Sequence, residues 1–258
     1  MNILIGDIGN TLTKICLINS KNFKVKKIIY FNSNIINSRK KTINIIKKFF
    51  KNSSIKKISF FSSVVPKYEI ILRDLLIKFF KIKFFEIGNK KINKIIKINV
   101  KNKNQVGSDR IANAIGACKK YKTNCIIIDF GTATTFDVVT KYGVYNGGII
   151  APGVNLSIKS LSHSAHKIPL FSLSKPKKIV GKNTLEALRS GFYWGYSGLI
   201  NNIISKIKSE TNKNYKVILT GGYANLFKTS IKKPFKIDKN ITINGIIEVF
   251  KHNKKYFN

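Results

Sequence analysis

Residues 126–137 constrain this chain more than any other stretch: Ile-Ile-Ile-Asp-Phe-Gly-Thr-Ala-Thr-Thr-Phe-Asp. Three consecutive isoleucines read as a buried strand. The chain turns at Gly131, and a second β-branched run follows through Phe136, Val138, Val139 and Thr140. The result is a hairpin with threonines at its tip and an aspartate, Asp129 or Asp137, at each shoulder. Glycine lets the backbone turn tightly and leaves amide N–H groups uncovered, and successive N–H groups at a turn form a concave nest for anions. Threonine hydroxyls add donors, and a carboxylate beside a phosphate pocket suits a metal ion. The device recurs near the start, in Ile5-Gly6-Asp7-Ile8-Gly9-Asn10-Thr11-Leu12-Thr13. Asp7 and Asp129 are 122 residues apart in a chain of 258. A repeat at nearly half the length predicts two similar half-domains with a nucleotide held between the two hairpins. One Asp-x-Gly alone reads as well as an ordinary hairpin turn; two in parallel contexts favour phosphate.

Composition excludes several classes. A 43% hydrophobic content is that of a globular chain, and no apolar run approaches the roughly 18 residues of a membrane span. The N-terminus lacks the basic start of a signal peptide, and Asp7 interrupts its apolar run, so a cytoplasmic protein is expected. Cys16, Cys118 and Cys125 are odd in number and lack metal spacing, as expected of small hydrophobes in a reducing compartment. The net charge is +37, yet only Arg39, Arg73, Arg110 and Arg189 among the 48 basic residues are arginine. The lysines are spread along the chain with Ile and Asn, as in a drift toward A+T-rich codons. Such charge allows non-specific electrostatic association with nucleic acid but predicts no specific site. In a lysine-saturated chain, an arginine marks a place where the planar guanidinium is needed. Acids total 11, and Asp7, Asp109, Asp129 and Asp137 fall in three short stretches.

Taken in order, 2–8, 12–19 and 23–31 read as strands, 34–50 as a helix, and Ile58–Phe61 as a strand. A helix then starts at Pro66, and Lys83–Ile87 is a strand. This is an α/β half-domain. Residues 88–105 are polar and irregular. A helix opens at Gln105–Arg110, the hairpin follows, and Val144–Ala151 is a strand that stops at Pro152-Gly153. A short helix covers 154–162, 163–180 are mostly loop, a long helix runs from Gly181–Thr184 to about Glu210, and Lys216–Thr220 is a strand. A last helix covers 244–252.

The start of the 105–110 helix is a second candidate site. A helix N-terminus attracts anions, Arg110 can grip a carboxylate or phosphate with two parallel bonds, and Asp109 can accept a hydroxyl proton. Capping by Ser108 or Asp109 is the simpler reading of that hexapeptide taken alone. Arg110 is expected to hold the Asp109 carboxyl pKa down. Gly221-Gly222 could admit a flat ring or simply make a strand-to-helix turn. Gly191, Gly195 and Gly198 suggest close helix packing, and His163 and His166 read as surface residues. Neither a P-loop nor a dinucleotide fingerprint occurs.

Seven motifs occur in order: Asp7-Ile-Gly-Asn-Thr11, Ser62-Ser-Val-Val-Pro66, Gly107-Ser-Asp-Arg110, Asp129–Asp137, Gly147-Gly148 with Ala151-Pro-Gly153, Gly181-Lys-Asn-Thr184, and Thr220-Gly-Gly222. Together they resemble type III pantothenate kinases over essentially the whole chain. The resemblance implies a fold of two duplicated actin-like, ribonuclease H-like α/β domains around a central nucleotide cleft, here 1–106 and 107–258. It implies a cytoplasmic homodimer that phosphorylates pantothenate with ATP, the first step toward coenzyme A, using Mg2+ and a monovalent cation, K+ or NH4+. By matching position, Asp109 would be the general base. Gly107, Ser108, Asp109, Arg110 and Thr184 would hold pantothenate. Asp7, Ile8, Gly9, Asn10, Thr11, Leu12, Thr13, Lys14 and Thr132 would hold ATP, and Asp129 the monovalent cation. The chain departs from the pattern at Leu12, where the family usually continues Asn-Thr-Asn or similar. It departs again near Val100, where the family often carries a tyrosine against pantothenate. Both departures imply weaker binding. The competing expectation is a catalytically inactive relative acting as a transcriptional accessory or nucleic-acid-binding protein; the intact Asp7, Asp109 and Asp129 argue against it.

Overall fold

The computed structural model describes residues 1–88, 95–232 and 234–254. In chain order the elements are β1 (Asn2–Ile8), β2 (Leu12–Asn19), β3 (Val25–Asn32), α1 (Arg39–Phe50), β4 (Ile55–Ser63), α2 (Pro66–Phe80), β5 (Lys83–Glu86), β6 (Lys97–Ile98) and α3 (Ser108–Tyr121). There follow β7 (Cys125–Phe130), β8 (Ala133–Val139), β9 (Val144–Pro152), α4 (Val154–Ser164), α5 (Thr184–Thr211), β10 (Lys216–Gly221), α6 (Ala224–Phe227), β11 (Phe235–Ile237) and α7 (Ile241–Asn253). No helix among the described residues is long and apolar enough to cross a membrane.

Two compact units emerge, Met1–Lys120 with Gly143–Tyr145 and Asn240–Asn258, and Tyr121–Tyr142 with Asn146–Lys239. They run differently from the 1–106 and 107–258 division expected from the sequence. The first unit holds a five-stranded sheet in the order β3-β2-β1-β4-β5. Strands β1 to β3 form an antiparallel meander, and β4 and β5 add in parallel. Apolar residues at successive positions of β1 demand cover on both faces, and Ile3, Leu4, Ile5 and Ile8 are fully buried. One face packs Leu4, Ile8, Ile15 and Leu17 against Ile46, Phe49, Leu72 and Leu76 of α1 and α2. On the other, the ring of Phe250 of α7 packs tilted against Phe60, centroids 5.2 Å apart. Helices α7 and α3 cross so closely that a Cβ on Gly245 would lie 1.9 Å from the Ala112 carbonyl oxygen, and one on Gly116 2.3 Å from that of Ile241. That glycine-lined crossing draws α3 and α7 into the first unit. The helix expected over 34–50 is interrupted: Asn32 accepts from the Asn34 N–H and caps a short 3-10 turn, and α1 starts only after Ser38.

The second unit builds its sheet in the order β11-β10-β7-β8-β9, with β7 and β8 antiparallel and β10 and β11 parallel to β7. Its core joins Ile126, Ile128, Phe136 and Leu219 of the strands to Tyr193, Ile200 and Ile204 of α5. Strand β11 was not expected; three residues carry too little alternation to be read from sequence.

Candidate active site

In the first unit the strands of the first hairpin fix which side chains its tip offers. Gly9 N–H donates to the Leu12 carbonyl at 3.2 Å, closing the turn. Asn10, Thr11 and Leu12 are exposed there, Leu12 by 51%. Thr13 points inward, fully buried, with its hydroxyl 2.8 Å from that of Ser33. Ile8 is a core residue, so only its backbone can face a ligand. Asp7 and Lys14 sit opposite each other in the register. The Lys14 ammonium donates to Asn240 Oδ1 at 3.4 Å and lies 5.3 Å from the Tyr30 ring centroid.

The same unit holds the start of α3. Ser108 is 8% exposed, and its hydroxyl is turned toward β4. It donates to the Ser63 carbonyl at 2.9 Å, accepts from the Ser63 N–H at 2.9 Å, and lies 3.2 Å from the Ser62 hydroxyl. The paired serines before Val64-Val65-Pro66 thus fasten the first turn of α3 to the end of β4. The Asp109 carboxylate accepts from the Arg110 N–H at 2.7 Å. The expectation that Arg110 would hold the Asp109 pKa down is corrected. Burial raises it, and the charge and N–H of Arg110 offset only part of that. Desolvation outweighs the neighbouring charge because the carboxyl is withdrawn from water. Val100, on the bend after β6, is partly buried and offers only an apolar side chain.

Glu86 was overlooked by sequence reasoning. It closes β5 beside Phe61 of β4. Its carboxyl is pushed up to about 7, first by burial, then by the charge of Glu69, against the pull of a hydrogen bond with Ser108 and the charge of Arg73. A lone glutamate after Phe84-Phe85 carries no motif; the only signal was an acid at the end of an apolar strand in a chain with few acids.

In the second unit, Asp129 is the penultimate residue of β7, opposite Thr135 and alongside Thr220. The turn is tight, with Gly131 N–H donating to the Ala133 carbonyl at 3.1 Å. Thr132 at the tip is exposed, and a Cβ on Gly153 would sit 1.9 Å from its carbonyl oxygen. Gly221 has φ +82°, and a Cβ there would lie 2.6 Å from Asp129 Oδ1 and from the Phe130 carbonyl oxygen. Close approach to that carboxylate accounts for Gly221. The Phe130 carbonyl oxygen accepts from the Gly222 N–H at 3.0 Å; with the Asp129 carboxylate beside it, it makes an oxygen donor set of the kind that can take a monovalent cation. Among the described residues no three of His, Cys, Asp or Glu converge as a metal cage. Mg2+ needs none, since it binds through substrate phosphates, waters and one or two carboxylates.

Thr184 is exposed at the first turn of α5. Asn183 caps that helix by accepting from the Glu186 N–H at 2.9 Å, and Glu186 accepts from the Lys182 N–H at 2.8 Å. Thr184 also lines an open apolar groove of about 550 Å³ with Leu161, Leu188, Phe192 and Leu199. The close helix packing expected at Gly191, Gly195 and Gly198 is corrected: a Cβ on any of them would meet nothing within 4 Å among the described residues, because that face borders open space.

A family model described as type III pantothenate kinase matches residues 3–206. A type III pantothenate kinase of Pelagibacter ubique strain HTCC1062 is 49% identical over 95% of this chain and 97% of that relative. Among solved structures, a putative sugar kinase from Cytophaga hutchinsonii aligns with a TM-score of 0.51 at 14% identity, covering 97% of this chain and all of that one. MreB5 of Spiroplasma citri aligns with a TM-score of 0.53 at 11% identity over 100% of this chain and 99% of that one. The fold is therefore that of the actin-like and sugar-kinase ATPases.

Proposed function

Because the chain belongs to the type III pantothenate kinase family, we propose that its α3 start is the place where the family's reaction occurs. The reaction is ATP-dependent phosphorylation of pantothenate in coenzyme A biosynthesis, a transfer to an alcohol group. The carrying observation is the full-length kinship, joined to an Asp109-Arg110 pair held at a helix start that is fastened to β4 through Ser108. An inactive nucleic-acid-binding relative is not favoured.

In this reading Asp109 accepts the proton of the pantothenate hydroxyl as its oxygen attacks the γ-phosphorus, the bond from that phosphorus to the β,γ-bridging oxygen breaks, and ADP leaves. Burial makes Asp109 a stronger base than an exposed aspartate, since a raised pKa favours taking up the proton. Arg110 and the Gly107-Ser108 backbone orient pantothenate, whose carboxylate suits the guanidinium fork. Thr184 is a further pantothenate contact, and Val100 adds only apolar surface. Asp7 to Lys14 hold ATP phosphates through the tip of the first hairpin, and Thr132 offers its hydroxyl to phosphate from the second. Mg2+ carried by ATP neutralises charge on the transferring phosphoryl group. Asp129 and the adjacent carbonyl hold K+ or NH4+. The work of the chain is positioning and charge placement rather than covalent chemistry.

We also assign a cytoplasmic homodimer, with a second copy covering the apolar groove of α5. Leu170, Ile179 and Val180 are exposed by 66–69% in the loop that precedes it, which a solvent-facing loop would not favour. Gly195→Arg on that helix should yield a monomer by light scattering.

The deciding experiment follows ADP release with ATP, Mg2+ and K+, with and without pantothenate, for the wild type and Asp109→Asn. Turnover should depend on pantothenate and fall at least about 100-fold in the variant, with pantothenate binding retained. Undiminished turnover in the variant would remove Asp109 as the base.

A further inference from the structure

We infer that Asn240 is a positioning residue for ATP: with the ring of Tyr30 it holds the Lys14 ammonium beside the tip of the first hairpin, ready for phosphate. This rests on the reading of that hairpin as the place where ATP phosphates bind. The sheet register sets three side chains in one row. Asp7 of β1 pairs with Lys14 of β2, and Lys14 pairs with Tyr30 of β3. Directly paired residues share a face of the sheet, as do residues two apart on one strand. Ile5, two before Asp7, pairs with Phe60, which packs against Phe250 of α7. The row therefore lies on the face that α7 covers. There the Lys14 ammonium donates to Asn240 Oδ1 at 3.4 Å and stands 5.3 Å from the Tyr30 ring centroid.

Asn240 occupies the N-cap of α7, where an asparagine side chain ordinarily accepts from an amide of the first turn. It makes no such bond. Its backbone carbonyl serves the helix, accepting from the Asn244 N–H at 2.8 Å. The side-chain oxygen serves Lys14 instead, 226 positions away in the sequence. The two residues that follow Asn240 are fixed to α3. A Cβ on Gly116 would lie 2.3 Å from the Ile241 carbonyl oxygen, and the Thr242 hydroxyl donates to Asn113 Oδ1 at 2.7 Å in a buried site. Asn240 thus stands on a rigid base, as a positioning group must. A lysine side chain loses much rotational freedom when it grips a ligand. Orienting it beforehand removes part of that cost from binding. A neutral amide oxygen and the face of an aromatic ring both attract an ammonium without cancelling its charge.

Steady-state kinetics test the assignment. Asn240→Ala should raise the KM for ATP about 5-fold, the weight of about one hydrogen bond, and leave the KM for pantothenate within about twofold of wild type. Tyr30→Ala should raise the KM for ATP about threefold, and Tyr30→Phe, which keeps the ring, should restore it. Lys14→Met should raise it about 10- to 100-fold, the weight of a hydrogen bond to a charged group. In the Lys14→Met background Asn240→Ala should add nothing, because a residue that acts through Lys14 has nothing left to hold. A merely structural asparagine would not show that coupling. A wild-type KM for ATP in Asn240→Ala overturns the inference, as does an Asn240→Ala effect that persists in the Lys14→Met background. Tyr30→Phe as impaired as Tyr30→Ala overturns the part given to the ring. The two readings stay apart: a Lys14 effect with no Asn240 effect refutes the inference alone, whereas an unchanged KM for ATP in Lys14→Met refutes Lys14 as an ATP contact and the inference with it.

Discussion

The two Asp-x-Gly hairpins start from nearly the same sequence and end in different surroundings. The first closes through Gly9 and Leu12 and is tied at Thr11, whose carbonyl accepts from the Ser33 N–H at 2.9 Å, while its tip residues Asn10, Thr11 and Leu12 stay exposed. The second is braced from outside its own strands, by Gly153 against Thr132 and by Gly221 against Asp129 and Phe130. A hairpin with an open tip can adjust its side chains to a mobile phosphate chain. A braced hairpin holds one carboxylate and one carbonyl in a fixed relation, which is what selection of an ion by size requires. Local sequence sets the turn, and residues far along the chain decide whether that turn is adjustable or rigid.

The sharpest way to break this comparison is steric. Gly153→Ala drives a methyl into the Thr132 carbonyl and should cost about 3 kcal/mol, a fall in Tm on the order of 10 °C. In Gly9→Ala the new Cβ would lie 2.9 Å from the Leu12 carbonyl oxygen, with an expected cost of about 1 kcal/mol. Equal losses by calorimetry would mean that the bracing is not what separates the hairpins. Next in size, Asp129→Asn should abolish stimulation by K+ at constant ionic strength, about a 10- to 100-fold loss of turnover. Asp7→Asn should raise the KM for ATP and leave the K+ response in place.

A pH scan of stability resolves the first unit from the second. The Glu86 pKa is raised from 4.5 to about 7, so folding favours its neutral form. The stabilisation is complete below about pH 4.5 and is lost as pH rises through about 7. Partial exposure limits it to about 1 kcal/mol. Glu86→Gln should flatten that slope between pH 5 and 8 when Tm is followed across the range. Last, Leu12→Asn at the exposed tip should change stability by less than about 0.5 kcal/mol, while lowering the KM for ATP about threefold by supplying a polar contact.

Much of this was legible in the sequence because the period-2 and period-3.6 patterns are strong where strands and helices are long. The strands at 2–8 and 12–19, Pro66 at the start of α2, the central hairpin and the long α5 all follow from local signals. The glycines show where legibility stops. Gly116 and Gly245 read as unremarkable until α3 and α7 are seen to cross, and Gly191 and Gly195 read as packing contacts although no described residue of the chain itself packs there. Only the fold tells a glycine needed for contact from one bordering a groove. Charge failed for a related reason. Arg110 beside Asp109 is visible in sequence and suggests a lowered pKa, whereas the desolvation that reverses the sign is a property of burial. Glu86 was missed because what raises its pKa is burial and the charge of Glu69, 17 positions away in the sequence.

The crossing of α3 and α7 also governs the order in which the protein can be made. The sheet built by the first 86 residues buries one face against α1 and α2, but its other face waits for Phe250 and its neighbours. A ribosome adding about 5–20 residues per second spends roughly 6–24 s on residues 121–239 before α7 emerges. During that interval β1, whose Ile3, Leu4, Ile5 and Ile8 are fully buried in the finished fold, has one side uncovered. The second unit, whose residues are contiguous apart from a three-residue excursion, can finish first. Birth order and folding order are thus reversed, and the interval before α7 appears is when the nascent chain most needs a chaperone.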